Sequence, residues 1–267
     1  MVDCVRRALG TDRVGHLGTL DPFAAGLLVI VVGRATRLAP FAAGWDKGYE
    51  GVMRLGTTTT TDDATGAPIA TSDTWRTLER ADVEQALARF RGTYEQRPPA
   101  YSAVKIDGER AYRRARRGEP VAPAPRRVEV SALELNSFSA PDIGFRATVS
   151  GGTYLRSLAR DVGKALGCGA HLAALTRTRV GPYRLAEARA PQAVTPQDLR
   201  DPGELVRGLR RRDLGPGERE AVLHGRALTG EGGDEGGVVA LFADGQLIAV
   251  AERVGDRLKP RVVVAEP

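Results

Sequence analysis

The sequence predicts an α+β protein in which a large domain is followed by a small one. Three observations point there. A chain of 267 residues suits one large unit plus a lesser one. Strand-like runs at 27–32, 49–55, 128–135 and 143–149 are interleaved with segments of helical spacing. After a stretch rich in Pro, Gly and Arg, segment 218–267 contains further strand-like runs separated by Gly-rich turns.

In chain order, residues 2–9 read as a helix ended by Gly10. The valine-rich run 27–32 reads as a strand buried on both faces, and 35–43 as a short helix. Residues 49–55 alternate as a strand does, and the threonine-rich tract 57–66 reads as a β-rich connection. Val83, Leu87 and Phe90 recur at helical spacing, with Gly92 as a stop. Segment 107–127 changes character. A short helix carrying Arg113, Arg114, Arg116 and Arg117 runs into a Pro-Ala stretch that cannot pack a core and stays mobile until an anion orders it. Leu155, Leu158, Ala159, Val162 and Leu166 then fall at helical intervals, placing Arg156 in the first turn of a packed helix. A catalytic unit is expected over 1–190, a linker over 191–217, and a small module over 218–267 with strands at 238–242, 247–251 and 262–265.

Formal charge is +6, and the basic residues are nearly all arginine, which favours planar, bidentate contact with phosphate. Such an excess predicts salt-sensitive attraction to nucleic acid, although a solvated basic surface has the same composition. Cys4 and Cys168 are far apart, and His16, His171 and His224 are scattered, so neither a disulfide nor a metal site is expected. No signal peptide or membrane-length apolar run is present, and a cytoplasmic location is expected.

Residues 15–26, G-H-L-G-T-L-D-P-F-A-A-G, set one carboxylate, Asp21, in a Gly- and Pro-bounded segment before an apolar run. Asp21-Pro22 reads as a fixed turn, able to face a ligand while the next strand holds its backbone. Taken with Gly33-Arg34-Ala35-Thr36, this block resembles the catalytic motif of the tRNA pseudouridine synthase B (TruB) family, bacterial type. Asp46-Lys47-Gly48-Tyr49 is similar to the family's second motif, Pro98-Pro99-Ala100-Tyr101-Ser102-Ala103-Val104-Lys105 to its R-P-P-x-x-S-A-x-K block, and Gly152-Thr153-Tyr154-Leu155-Arg156 to its G-T-Y-I-R motif. Two departures stand out. The family begins with a strand and a Lys-Pro-Gly loop, whereas this chain opens inside the helix that follows them, so that strand is expected to be missing. In the tract 55–66 the family often has an acid at the place of Thr60. Asp63 matches, with Asp62 beside it.

The resemblance implies a mixed, mainly antiparallel central sheet flanked by helices, the pseudouridine synthase fold, with a C-terminal β-barrel-like PUA-type RNA-binding domain at 218–267 and an RNA-gripping insertion at 107–127. It implies isomerisation of uridine-55 in the T-loop of tRNA by base flipping. The N1–C1′ bond breaks, the base turns, and C5 joins C1′, so no cofactor or metal is demanded. Asp21 is implied as the nucleophile, attacking C6 or C1′. Burial raises a carboxylate's pKa, and a buried cation opposes that. Arg156 is implied in that role. Tyr49 would stack on the uracil, its hydroxyl a candidate for moving the C5 proton. Leu175 would seal the apolar wall, and His16 would fill the stack that the flipped base vacates. Lys47 and Lys105 would meet phosphate, as would Arg113, Arg114, Arg116 and Arg117. The partner is the tRNA T-arm, with no membrane and no obligate protein partner, and the chain is expected to be a monomer. Two alternatives stay open at this point: a guide-RNA-dependent relative, and an RNA-binding or RNA-folding module without catalysis.

Overall fold

Residues 20–28 and 44–188 build one unit around a seven-stranded sheet. The computed structural model describes residues 1–119, 121–230 and 236–266. The strands of this sheet are β1 (Ala25–Gly26), β2 (Lys47–Leu55), β3 (Gly92–Gln96), β4 (Arg126–Ser139), β5 (Asp142–Val149), β6 (Ala170–Val180) and β7 (Tyr183–Arg184). Their spatial order is β7-β6-β2-β5-β4-β3, antiparallel throughout, with β1 alone running parallel to β6. The fold is thus mixed α+β around an antiparallel sheet.

One face of the sheet is apolar because every second residue of β2 and β5 is. Tyr49, Met53 and Leu55 join Ile143, Phe145, Ala147 and Val149 in a single buried cluster. Helices α1 (Arg80–Ala88) and α3 (Leu155–Ala165) cover that face with Val83, Leu87, Leu155, Leu158, Ala159 and Val162. Gly163 lets α3 come close, since a Cβ there would lie 2.2 Å from the Ala170 nitrogen. On the strands' outward side, Arg54 pairs with Asp142 and Arg146 with Glu50 directly across β2 and β5. The threonine-rich connection is indeed β-rich, with Thr57–Thr59 pairing antiparallel to Pro68–Thr71.

The segment after β3 carries a two-residue hairpin, Lys105–Ile106 with Glu109–Arg110, and then the short helix α2 (Ala111–Arg116). The 121–125 part of the Pro-Ala stretch forms neither helix nor strand. Its arginines are partly neutralised within the segment. Arg117 meets Glu109 at 2.6 Å and Glu119 at 2.7 Å, and Arg114 meets Glu119 at 3.1 Å.

The second unit gathers Met1–Thr19, Val29–Ala43 and 189–266. Helix Val2–Leu9 ends at Gly10 in the left-handed conformation, as the sequence suggests. Val14–His16 pairs antiparallel with Ile30–Val32, of which only Val31 is fully buried, so this strand is half-covered rather than buried on both faces. A 3-10 turn, Gly33–Leu38, and a short helix, Ala39–Ala42, follow. A five-stranded sheet completes the unit in the order Arg210–Asp213, Val238–Ala243, Gln246–Val254, Arg257–Val263, Leu228–Thr229. Leu241, Ile248, Ala249, Ala251, Leu258 and Val222 form its core. The expected linker 191–217 includes the first strand of this sheet. Arg210–Asp213 is an edge strand parallel to Val238–Ala243. Its run of arginines hides it, because an edge strand needs only main-chain pairing and leaves its charged side chains in water. The residues expected in a catalytic unit at 1–190 are likewise shared between both units. No helix among the described residues is long and apolar enough to cross a membrane.

Candidate active site

Asp21 sits in a turn closed by the Ala24 N–H donating to the Asp21 carbonyl, 2.9 Å away. The chain then enters β1, which pairs with Thr176 and Arg177 of β6, and the Leu27 N–H donates to the Arg177 carbonyl at 2.8 Å. Gly26, at φ 104°, makes this approach possible. A Cβ there would lie 2.3 Å from the Arg177 carbonyl oxygen. The turn that carries the acid thus runs directly into a two-residue strand locked to the central sheet.

Arg156, in the first turn of α3, holds Asp21 with two nitrogens. Nη2 donates to Oδ1 at 2.8 Å and Nε to Oδ2 at 3.1 Å. The guanidinium is only 6% exposed, so its remaining donors must find partners. Nη2 also donates to the Tyr101 carbonyl, Nη1 donates to the Thr61 carbonyl, both at 3.0 Å, and the Asp63 carboxylate lies 3.6 Å from Nη1. Asp63 is itself held by Thr61 Oγ1, the Thr65 N–H and Thr65 Oγ1.

The start of α3 is fixed by buried Gln96 at the end of β3. Its Oε1 accepts from the Tyr154 N–H at 2.8 Å while its Nε2 donates to the Tyr154 carbonyl at 3.1 Å. Ser157 Oγ donates to the Arg97 carbonyl at 2.9 Å. Without such partners the open N–H and C=O groups of a buried helix end would be costly.

Tyr49 lies on β2 opposite Arg177 of β6 and is 7% exposed. Burial pushes its phenol pKa up. The Arg177 guanidinium, which hydrogen-bonds the hydroxyl, opposes that rise, and the Asp21 charge adds to it. Arg177 is 1% exposed and its Nε donates to the Leu27 carbonyl at 2.8 Å, so one buried cation ties the base-stacking candidate to the segment that follows the Asp21 turn.

Asp21, Arg156 and Tyr49, the three catalytic candidates, therefore fall together. Leu175 is buried in the core cluster, opposite Gly51. Lys47 differs from expectation. It is 8% exposed, its Nζ donates to the Trp45 carbonyl at 2.7 Å, and burial, with Arg177 nearby, lowers its pKa. An ammonium turned inward against its own chain is not placed to meet phosphate. Lys105 stands exposed on its hairpin, with Arg113, Arg114, Arg116 and Arg117 on the α2 helix and at its end. His16 is exposed at the end of its strand in the second unit.

Sequence reasoning missed Arg177, Gln96 and Arg160. Arg160 was findable, lying one helical turn after Arg156, whereas a glutamine or arginine inside a strand gives no signal of its burial. Among the described residues no group of three or more His, Cys, Asp or Glu could hold a metal. What the arrangement offers is an aspartate gripped through both oxygens by a buried arginine, near an aromatic ring.

Comparison with known proteins gives the family and the fold. The sequence profile described as the TruB family pseudouridylate synthase N-terminal domain matches residues 6–155. Residues 156–209 match the tRNA pseudouridylate synthase B C-terminal domain, and 209–265 the C-terminal region of tRNA pseudouridine synthase II. The tRNA pseudouridine synthase B of Thermobifida fusca (strain YX) is 43% identical over 98% of this chain and 92% of its own length. That of Azoarcus sp. (strain BH72) is 40% identical, over 97% and 88%. Among solved structures, a chain from the crystal structure of a Cbf5-Nop10-Gar1 complex has a TM-score of 0.72 at 24% identity, covering 99% of this chain and 80% of that one, so the two share a fold. With that first profile matching residues 6–155, more than half of its length, and relatives at 40% identity or more over nearly all of it, the chain belongs to the TruB family of pseudouridylate synthases.

Proposed function

We propose that this chain converts uridine-55 in the T-loop of tRNA to pseudouridine, acting alone and without a cofactor. The observation that carries the reading is the two-nitrogen grip of Arg156 on Asp21, in a chain of this family. A guanidinium in register with both oxygens fixes the direction in which the Asp21 carboxylate faces.

Asp21 adds to the uridine at C1′ or C6, the N1–C1′ bond breaks, and the detached base turns while held. C5 then bonds to C1′, the C5 proton leaves, N1 takes a proton, and the Asp21 adduct resolves. Atoms and electrons balance within one nucleotide. Tyr49 carries the uracil on its ring. Its hydroxyl is neutral at ordinary pH, as a tyrosine's is, and burial pushes the phenol pKa further up, so it can pass a proton rather than bear charge. Leu175 supplies apolar wall, and His16 fills the gap left in the T-loop stack. Lys105 and the α2 arginines meet the RNA backbone, and 218–267 acts as a PUA-type RNA-binding module.

The test is pseudouridine formation on an unmodified tRNA transcript by the purified chain, with no guide RNA or protein added. Conversion at position 55 supports the reading. A need for guide RNA, or binding with no conversion, ends it.

A further inference from the structure

We propose that Asp62 and Arg160 form a positioning clasp that sets the Arg156 guanidinium on Asp21. The proposal rests on the functional reading above. Asp62 is flanked on both sides by partners of Arg156: the Thr61 carbonyl, which accepts from it at 3.0 Å, and the Asp63 carboxylate, an ion-pair contact at 3.6 Å. Asp62 itself has φ 58°, the left-handed conformation that a side chain disfavours. That reversal is what turns its two neighbours toward Arg156 while sending its own carboxylate elsewhere. Its Oδ2 accepts from Arg160 Nη1 at 2.9 Å. Arg156 and Arg160 are four residues apart on α3, so two successive arginines of one helix face grip two successive aspartates of one turn.

Arg160 reaches further. Its Nη2 donates to the Arg97 carbonyl at 2.9 Å, at the head of the segment whose Tyr101 carbonyl accepts from Arg156. Its Nε donates to Asp161. One partly buried guanidinium therefore ties down both main-chain segments that supply Arg156 with its neutral acceptors. The turn is also pinned to β6, where the Asp62 carbonyl accepts from the Leu172 N–H at 3.0 Å. The Ala64 N–H donates back to the Leu172 carbonyl at 3.0 Å, and Thr61 and Thr65 hold the Asp63 carboxylate. The clasp adds the contact that joins this turn to α3 and to the Arg97 carbonyl.

Asp62→Asn keeps a side chain that tolerates the left-handed turn and removes the charge. Single-turnover rates and tRNA binding of Asp62→Asn, Arg160→Met and the double variant test the proposal. Each single variant should lose roughly tenfold in rate with tRNA affinity within about twofold, and the double should lose no more than the worse single, as coupled groups do. Arg160→Lys, which keeps the charge but not the fork, should recover part of the Arg160→Met loss. The Arg156 Nε–H NMR signal should shift in both single variants, a readout independent of turnover. Folded single variants within twofold of the parent, losses that multiply in the double, or an unmoved Arg156 signal would overturn the clasp. A parent that makes no pseudouridine would instead sink the functional reading, and the Arg156 signal would still decide the clasp.

Discussion

Arg54 and Arg156 each hold an aspartate with two nitrogens. Arg54 meets the two oxygens of Asp142 at 2.8 Å each, across neighbouring strands on the solvent side of the sheet. Arg156 meets those of Asp21 at 3.1 and 2.8 Å, on the opposite, covered side. By distance the exposed pair is the better made. Their surroundings differ: the Arg54 side chain is 51% exposed and that of Arg156 is 6% exposed. Water screens the first pair and can replace either member, so it is worth a few tenths of a kcal/mol to about 1. For the second, removing one partner strands a buried charge, a cost of about 3–5 kcal/mol. Ion-pair geometry thus says little about importance until burial is known.

The sharpest way to break the comparison is Asp21→Asn. Turnover should fall by at least about 1,000-fold, as when a nucleophile is removed, while tRNA binding measured by filter retention stays within a few-fold. Activity close to the parent's would take Asp21 out of the mechanism. Next comes Arg156→Lys, which keeps the charge but loses the fork. A rate loss of about 100-fold is expected, in line with a broken buried pair, and a variant as fast as its parent would refute the ion-pair role.

The α2 arginines lie between the extremes. Replacing Arg113 and Arg116 with Gln should weaken tRNA binding and lower the slope of log affinity against log salt by roughly 0.8 per charge removed. Arg117→Gln should do less, since Glu109 and Glu119 already hold that side chain. An unchanged slope would make the helix a solvated surface. The smallest effect belongs to the outer pair. Arg54 holds the Asp142 carboxyl below its usual range. A depressed acid stabilises the fold above its unfolded pKa, and that gain is lost as pH falls through the lower folded value. Asp142→Asn should therefore cost under about 1 kcal/mol near neutral pH by urea titration, and nothing once the parent's Asp142 is protonated. A loss near that of a buried pair would erase the contrast.

The sequence carried the elements whose signal is periodic. Helix α3 followed from Leu155, Leu158, Ala159 and Val162, and β2 from the alternation ending at Leu55, because burial on one face leaves a repeat in the chain. The nearness of Asp21, Tyr49 and Arg156 came through motif resemblance, since no local pattern links positions that far apart. What stayed hidden was the support. Arg177 and Gln96 are polar residues in strands, indistinguishable in one dimension from residues facing water. Asp62 and Arg160 read as ordinary loop and helix charges until the turn at φ 58° places them together. Lys47 was hidden for the same reason, its inward direction being a matter of packing. Arg210–Asp213 escaped because pairing through the main chain leaves no mark on side-chain choice.

The Gln96 clamp makes two neighbouring positions unequal under mutation. Because it reads only the main chain of residue 154, the side chain there is under little constraint from it, and Tyr154 instead lies beneath the Arg126 guanidinium at 5.3 Å. Position 96 has no such latitude. Glutamate, methionine and leucine match it in size, yet none both gives and takes a hydrogen bond in its ordinary ionisation state. Random libraries of this enzyme should accordingly return many residues at 154 and almost nothing but glutamine at 96, although 96 touches neither the acid nor the arginine it serves.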